Sequence, residues 1–140
     1  MKIIYQTTMI NTGSRQGVAA SPDGSLSFKM VTPVERGGDG REKGTNPEQL
    51  FAATYSSCYN GALEHVLKKA RIPYESTTVT AEISLVEDVV NKGDMLAAKL
   101  TVSVKGITKE QAQKYALLAH TVCPYSKAIK GNVAIETVVV

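Results

Sequence analysis

With 140 residues, 43% of them hydrophobic, and a formal charge of only +3, the chain is sized for one domain, residues 1–140, that buries a core without disulfide staples. Its basic residues are scattered among acidic ones without interleaved aromatics, which argues against a nucleic-acid partner, and no apolar run approaches the roughly 18 residues of a membrane span. The opening MKIIYQTTMI is interrupted by Gln6, Thr7 and Thr8 and fails as a secretory signal, so the expected setting is cytoplasmic, where a persistent structural disulfide is unexpected.

The chain opens with three predicted strands: Ile3 to Ile10, Gly17 to Ala20, and Ser25 to Met30 around the turn formers Ser21-Pro22-Asp23-Gly24. From Thr32 to Gly44 the text is polar and glycine-rich and reads as a mobile surface loop. Asn46-Pro47-Glu48-Gln49 then announces a helix, with Asn46 as N-cap, Pro47 at the first helical position and Gln49 placed for a capping box. Its apolar stripe runs through Leu50, Phe51, Tyr55, Cys58, Tyr59, Ala62, Val66 and Ala70 and ends near Arg71-Ile72-Pro73. Two alternating runs, Val79 to Leu85 and Leu96 to Val104, read as a long antiparallel hairpin turning at Asn91-Lys92-Gly93-Asp94. Thr108 and Gln111 box the start of a second helix, which Pro124 stops and replaces with a short one closed by Gly131. The tail NVAIETVVV is a last strand. The order βββ, α, ββ, α, short α, β predicts an α+β fold with a mostly antiparallel sheet and two long helices.

Two cysteines, Cys58 and Cys123, are all the chain has, and they dominate its chemistry. Cys58 lies on the apolar stripe of the first long helix, where a free thiol ordinarily acts as a small buried hydrophobe. Cys123 sits at the N-cap of the short helix, where unpaired N–H groups stabilise a thiolate, and function and structure weigh evenly there. A CxxC motif is absent. C-x6-H and H-x2-C, using His65 and His120, do not match a zinc module; residues seven apart on a helix are about 10 Å apart along its axis, and both histidines read as structural or surface groups. Gly37-Gly38-Asp39-Gly40 lacks the rest of a phosphate loop. Arg15 reads as a turn residue between strands, and Glu48 as a partner of the helix dipole.

Two segments change these odds together: Gly44-Thr45-Asn46-Pro47-Glu48-Gln49-Leu50-Phe51-Ala52-Ala53 leading to Cys58, and Val122-Cys123-Pro124-Tyr125-Ser126 leading to Gly131-Asn132-Val133. They closely resemble the organic hydroperoxide resistance branch of the OsmC superfamily, as do the length, the element order and the early Gly-Ser-Arg-Gln-Gly turn. Thr54 replaces the glycine usual there, Ser57 an alanine, Tyr59 a phenylalanine and Lys127 an asparagine; none of these removes a catalytic group. The resemblance implies an OsmC-like fold with a six-stranded, mostly antiparallel sheet, in an intertwined homodimer. It also implies a cytoplasmic thiol peroxidase, active in oxidative stress, that reduces organic hydroperoxides, fatty-acid hydroperoxides included. Cys58 would be the peroxidatic residue, Cys123 the resolving one, and Arg15 with Glu48 an active-site ion pair. No bound cofactor or metal is implied; dihydrolipoamide or a lipoylated protein would reduce the disulfide.

The chemistry accounts for those residue types. A thiol of pKa about 8.5 is mostly protonated at neutral pH, and an adjacent Arg15 would lower that value by ~1–3 units. A bidentate Glu48 would orient the guanidinium, and a Cys58 sulfenic acid would condense with Cys123 before over-oxidation. The helix terminus makes Cys123 the more obvious acidic thiol, whereas the resemblance assigns first attack to Cys58; a full charge in contact outweighs a partial dipole. Phe51, Tyr55 and Tyr59 are expected to line a pocket for bulky peroxides. Glu48 and Cys58, ten residues apart, stand about 15 Å apart on a straight helix. Either the helix bends sharply or Glu48 comes from a second subunit, and the second arrangement predicts an obligate dimer. The rival reading is a ligand-binding or structural member of the same fold with inert cysteines.

Overall fold

The structure is a computed structural model that describes residues 1–140. The chain forms two compact units, Met1–Leu50 and Phe51–Val140. No helix is long and apolar enough to cross a membrane.

The first unit holds a three-stranded antiparallel sheet of β1 (Ile10–Thr12), β2 (Val18–Ala20) and β3 (Ser27–Lys29), in that order. The expected strand from Ile3 to Ile10 is cut to its last residue. β2 ends opposite Ile10 at Ala20, and the chain then turns, with Ser21 N donating to Leu26 O. Residues N-terminal to Ile10 thus have no strand whose N–H and C=O groups they can pair with. They stay outside any strand and exposed, with Ile4 at 96% and Tyr5 at 81% of full accessibility. After β3 the glycine-rich segment makes one 3-10 turn at Val34–Arg36 and reverses at Gly37, whose φ of 91° suits glycine. Its base is pinned where Thr45 N donates to Lys29 O and Val31 N to Thr45 O.

α1 (Pro47–Lys69) begins as the sequence predicts, with Gln49 N donating to Asn46 Oδ1 at 2.8 Å. The Gln49 side chain departs from a capping box: its Oε1 accepts from the Thr45 hydroxyl at 3.0 Å. The helix runs unbroken to Lys69. It ends on Arg71 in the left-handed region (φ 56°), with Arg71 N bonded to Lys68 O and Ile72 N to Leu67 O, a Schellman closure built without glycine.

In the second unit β4 (Ser76–Glu87) and β5 (Asp94–Lys105) form the predicted hairpin, with Val79 opposite Val102, Ala81 opposite Leu100 and Ile83 opposite Ala98. The alternation puts these side chains on one face, while Thr78, Thr80, Glu82 and Ser84 face solvent. α2 (Lys109–Val122) carries the full capping box: Gln111 N donates to Thr108 Oγ1, and Thr108 N to Gln111 Oε1. α3 (Pro124–Ile129) follows at once, and the tail forms β6 (Ala134–Val139).

The pairing is mostly antiparallel, as expected, but the six strands form two three-stranded sheets within the chain, not one of six. The one parallel pair is β6 with β5, so β5, α2, α3 and β6 make a crossover unit. Its cause is connectivity: two helices carry the chain back along the sheet before β6 begins, and a returning strand can then only run parallel. The core of this unit gathers Tyr55, Tyr59, Leu63 and Leu67 from α1, Leu100 and Val102 from β5, and Ala112, Tyr115, Ala116 and Ala119 from α2.

Leu100 is fully buried on the central strand, so Leu100→Ala is expected to cost about 2–5 kcal/mol in urea denaturation. Thr108→Ala, which removes a cap and leaves the core intact, is expected to cost about 1 kcal/mol.

Candidate functional site

Arg15 owes its position to a turn that few sequences allow. Between β1 and β2 the chain makes one 3-10 turn, Ser14–Gln16, entered through Gly13 (φ 84°) and Ser14 (φ 58°). Asn11 Nδ2 donates to Ser14 O at 3.2 Å and to Val18 O at 3.3 Å, which ties the turn across its neck. At Gly17 a Cβ would lie 1.8 Å from Thr12 O, so only glycine fits. The guanidinium so placed grips Glu48, in the first turn of α1, through two parallel bonds: Nη1 to Oε2 at 2.9 Å and Nη2 to Oε1 at 2.7 Å. Arg15 hydrogen bonding holds the Glu48 carboxyl below the usual carboxylate range, against a smaller opposing push from burial.

The cysteines belong to the other unit. Cys58 is half-buried on α1, whereas Cys123 is fully buried and serves as both C-cap of α2 and N-cap of α3. Sixty-five positions apart in sequence, their sulfurs lie 3.6 Å apart, with the Cys123 S–H directed at Cys58 Sγ. Cys123 Sγ in turn accepts from Ser126 N at 3.5 Å, a side-chain cap on the short helix. Burial pushes the Cys58 thiol above its ordinary value; a backbone hydrogen bond from Tyr125 opposes this, and the neighbouring Cys123 adds to it. Taken alone, this environment keeps Cys58 protonated at neutral pH.

The aromatic residues divide. Phe51 is half-buried, 5.9 Å from the Tyr55 ring and 6.2 Å from the Tyr125 ring between centroids. Tyr55 and Tyr59, expected to line a pocket, are each 0% exposed and are core residues in this chain, because the stripe that carries them is the face α1 buries. Their hydroxyls point inward: Tyr59 donates to Ala116 O at 2.6 Å, and Tyr55 lies 3.0 Å from Ser126 Oγ. Of the positions that depart from the family pattern, Thr54, Ser57 and Lys127 are all exposed.

Composition and spacing gave no warning of a polar network beside the sulfurs. Ser126 Oγ is 2.9 Å from His120 Nδ1, and His120 Nε2 is 2.9 Å from Thr137 Oγ1 on β6. Burial holds the His120 ring below its ordinary pKa, so it is neutral. With both nitrogens engaged it is a satisfied structural histidine; His65 is exposed on α1. A cavity of about 720 Å³ opens beside it, lined by Leu117, His120, Lys127, Val133, Ile135 and Thr137 among others. The signal for Ser126 lay in its place: it is the third helical residue after a cysteine N-cap, the position whose N–H such a cap receives.

A family model described as OsmC-like protein matches residues 38–138. A Staphylococcus epidermidis protein named organic hydroperoxide resistance protein-like 2 is 41% identical over 133 residues, covering 95% of this chain and 93% of the relative. Among solved structures, an organic hydroperoxide resistance protein from Elizabethkingia anophelis superposes with a TM-score of 0.91 at 40% identity, covering 99% of this chain and 98% of that one. The organic hydroperoxide resistance protein OhrB of Bacillus subtilis superposes at 0.88 with 37% identity, covering 99% and 100%. In sequence and in fold, this chain belongs to the OsmC-like family, among relatives that carry the name organic hydroperoxide resistance.

Proposed function

We propose that the protein is a cysteine peroxidase that reduces organic hydroperoxides to alcohols, acting as a homodimer in a reducing compartment such as the cytoplasm. The observation that carries this reading is the sulfur pair at 3.6 Å, one thiol half-buried and the other fully buried at the joint of two helices. The Cys58 thiolate attacks the terminal peroxide oxygen, the O–O bond breaks, and Cys58 becomes a sulfenic acid as the alkoxide leaves and takes a proton from water to become the alcohol. Cys123 displaces the hydroxyl as water, and an external dithiol, dihydrolipoamide or a lipoylated protein, reduces the disulfide through a mixed intermediate.

Attack requires a thiolate, and burial disfavours one at Cys58. We assign the compensating charge to Arg15, oriented by Glu48. An ion pair presents a weaker field than a lone guanidinium, so the shift lies at the low end of the ~1–3 units a nearby opposite charge produces. Because α1 is unbroken, Glu48 and Arg15 are assigned to the cysteine pair of a partner subunit. The exposed apolar arm with Ile3, Ile4 and Tyr5, and the long open edge of β4, favour such an exchange. The two units of the chain then work as parts of one domain.

One equivalent of tert-butyl hydroperoxide is expected to remove two thiols per chain, both recovered by dihydrolipoamide; no thiol loss would establish inert cysteines instead. Cys58→Ser is expected to abolish the loss, and Cys123→Ser to leave a sulfenic or sulfinic adduct on Cys58 in the mass spectrum. In the Cys123→Ser background, Arg15→Gln is expected to raise the pH midpoint of Cys58 alkylation by about one unit, and an unchanged midpoint would remove Arg15 from the site. The Arg15–Glu48 pair has a predictable acid limit. The folded carboxyl lies below its unfolded value of 4.5, so the pair's stabilisation is present above that value and is lost as pH falls through the folded one. Glu48→Gln is therefore expected to flatten stability against pH below about 4.5 and to leave its slope near neutrality unchanged. Sedimentation is expected to give a dimer; a monomer with full peroxidase turnover would contradict the shared site.

A further inference from the structure

Tyr55 stands three residues before Cys58 on α1, and Ser126 three residues after Cys123 at the start of α3. Nearly one turn from its own sulfur in each case, the two side chains meet, with 3.0 Å between hydroxyl oxygens against 3.6 Å between sulfurs. The same two helices are thus joined twice, once through hydroxyls and once through thiols. Ser126 is 4% exposed, and its hydroxyl also meets His120 Nδ1 at 2.9 Å, while its main-chain N–H holds Cys123 Sγ. His120 extends the connection to Thr137 on β6 at 2.9 Å. One buried hydroxyl therefore ties α1, α2, α3 and β6 together, and removing any partner leaves a polar atom without the hydrogen bond that it makes in the folded chain.

We infer that Tyr55, Ser126 and His120 form a clamp that positions Cys123 for disulfide formation, and so decides whether the Cys58 sulfenic acid is resolved or over-oxidised. The inference rests on Cys58 being the peroxidatic thiol. In resolution, Cys123 sulfur attacks Cys58 sulfur, the S–S bond forms, the S–O bond breaks, and the hydroxyl leaves as water with the Cys123 proton. In the competing reaction a second organic hydroperoxide oxidises the same sulfur; its O–O bond breaks, and Cys58 sulfinic acid and an alcohol result. The first reaction is intramolecular and depends on how the two sulfurs are held, because closing 3.6 Å to a bond of about 2.05 Å needs a directed approach. The second is indifferent to Cys123. The ratio of disulfide to sulfinic acid therefore reports the position of Cys123, whatever the rate at which sulfenic acid forms.

The test is mass spectrometry of Cys58 across a series of tert-butyl hydroperoxide concentrations, in the wild-type protein and in Tyr55→Phe, Ser126→Ala and Thr108→Ala. The last removes a cap at the far end of α2 and serves as a destabilised control outside the clamp. At equal peroxide, the disulfide-to-sulfinate ratio is expected to fall roughly three- to tenfold in Tyr55→Phe and Ser126→Ala, the equivalent of one lost hydrogen bond, and to hold in Thr108→Ala. Ratios within about twofold of wild type in both clamp variants would overturn the inference. So would an equal fall in Thr108→Ala, which would make the effect one of general stability. Wild-type protein that yields neither product would instead overturn the peroxidase reading beneath it.

Discussion

The packing of the α1 stripe against β5 and α2 is the interaction on which the second unit depends. Leu63 and Leu67 meet Leu100 and Val102 in a single core, and two tyrosines fill the end of that core nearest the sulfurs. Tyrosine suits that end because its ring is hydrophobic and its hydroxyl takes a partner: Ala116 O for Tyr59, Ser126 for Tyr55. Cys58 lies between them in sequence, at the edge of the buried stripe, where burial raises its pKa but leaves the sulfur partly accessible. The same packing that stabilises the helix therefore also sets the burial of its thiol.

Electrostatics in the first unit follow a different plan. The ion pair of Arg15 and Glu48 is bidentate and half-exposed at the arginine, with its carboxylate in the first turn of a helix, where the dipole already favours negative charge. Exposed pairs of this kind add little to stability, so this one is a small source of folding free energy. The first unit carries this ion pair, and the second carries the two sulfurs.

How much of this was legible in the sequence followed from the range of each signal. The start of α1 at Asn46, the capping box of Thr108 and Gln111, and the two alternating runs of the β4–β5 hairpin are local or period-two features, and the sequence shows each in place, whereas the register that sets Ala81 opposite Leu100 comes from the structure. The parallel pairing of β6 and the loss of strand before Ile10 depend on what lies beside a segment in space, which periodicity does not encode. Tyr55 and Tyr59, expected as pocket lining, lie on the stripe that α1 buries in this chain. The approach of Cys58 to Cys123, 65 residues away, follows in the sequence only from the family resemblance; the residues by themselves point to an inert Cys58.

The turn that presents Arg15 has a consequence for inheritance. Since a Cβ at Gly17 would collide with Thr12 O, every amino-acid replacement there disturbs the loop that aims the guanidinium. On the role proposed for Arg15, natural variants at Gly17 resemble its loss in phenotype although the arginine is still encoded, so the mutational target is wider than the residues proposed to do the chemistry.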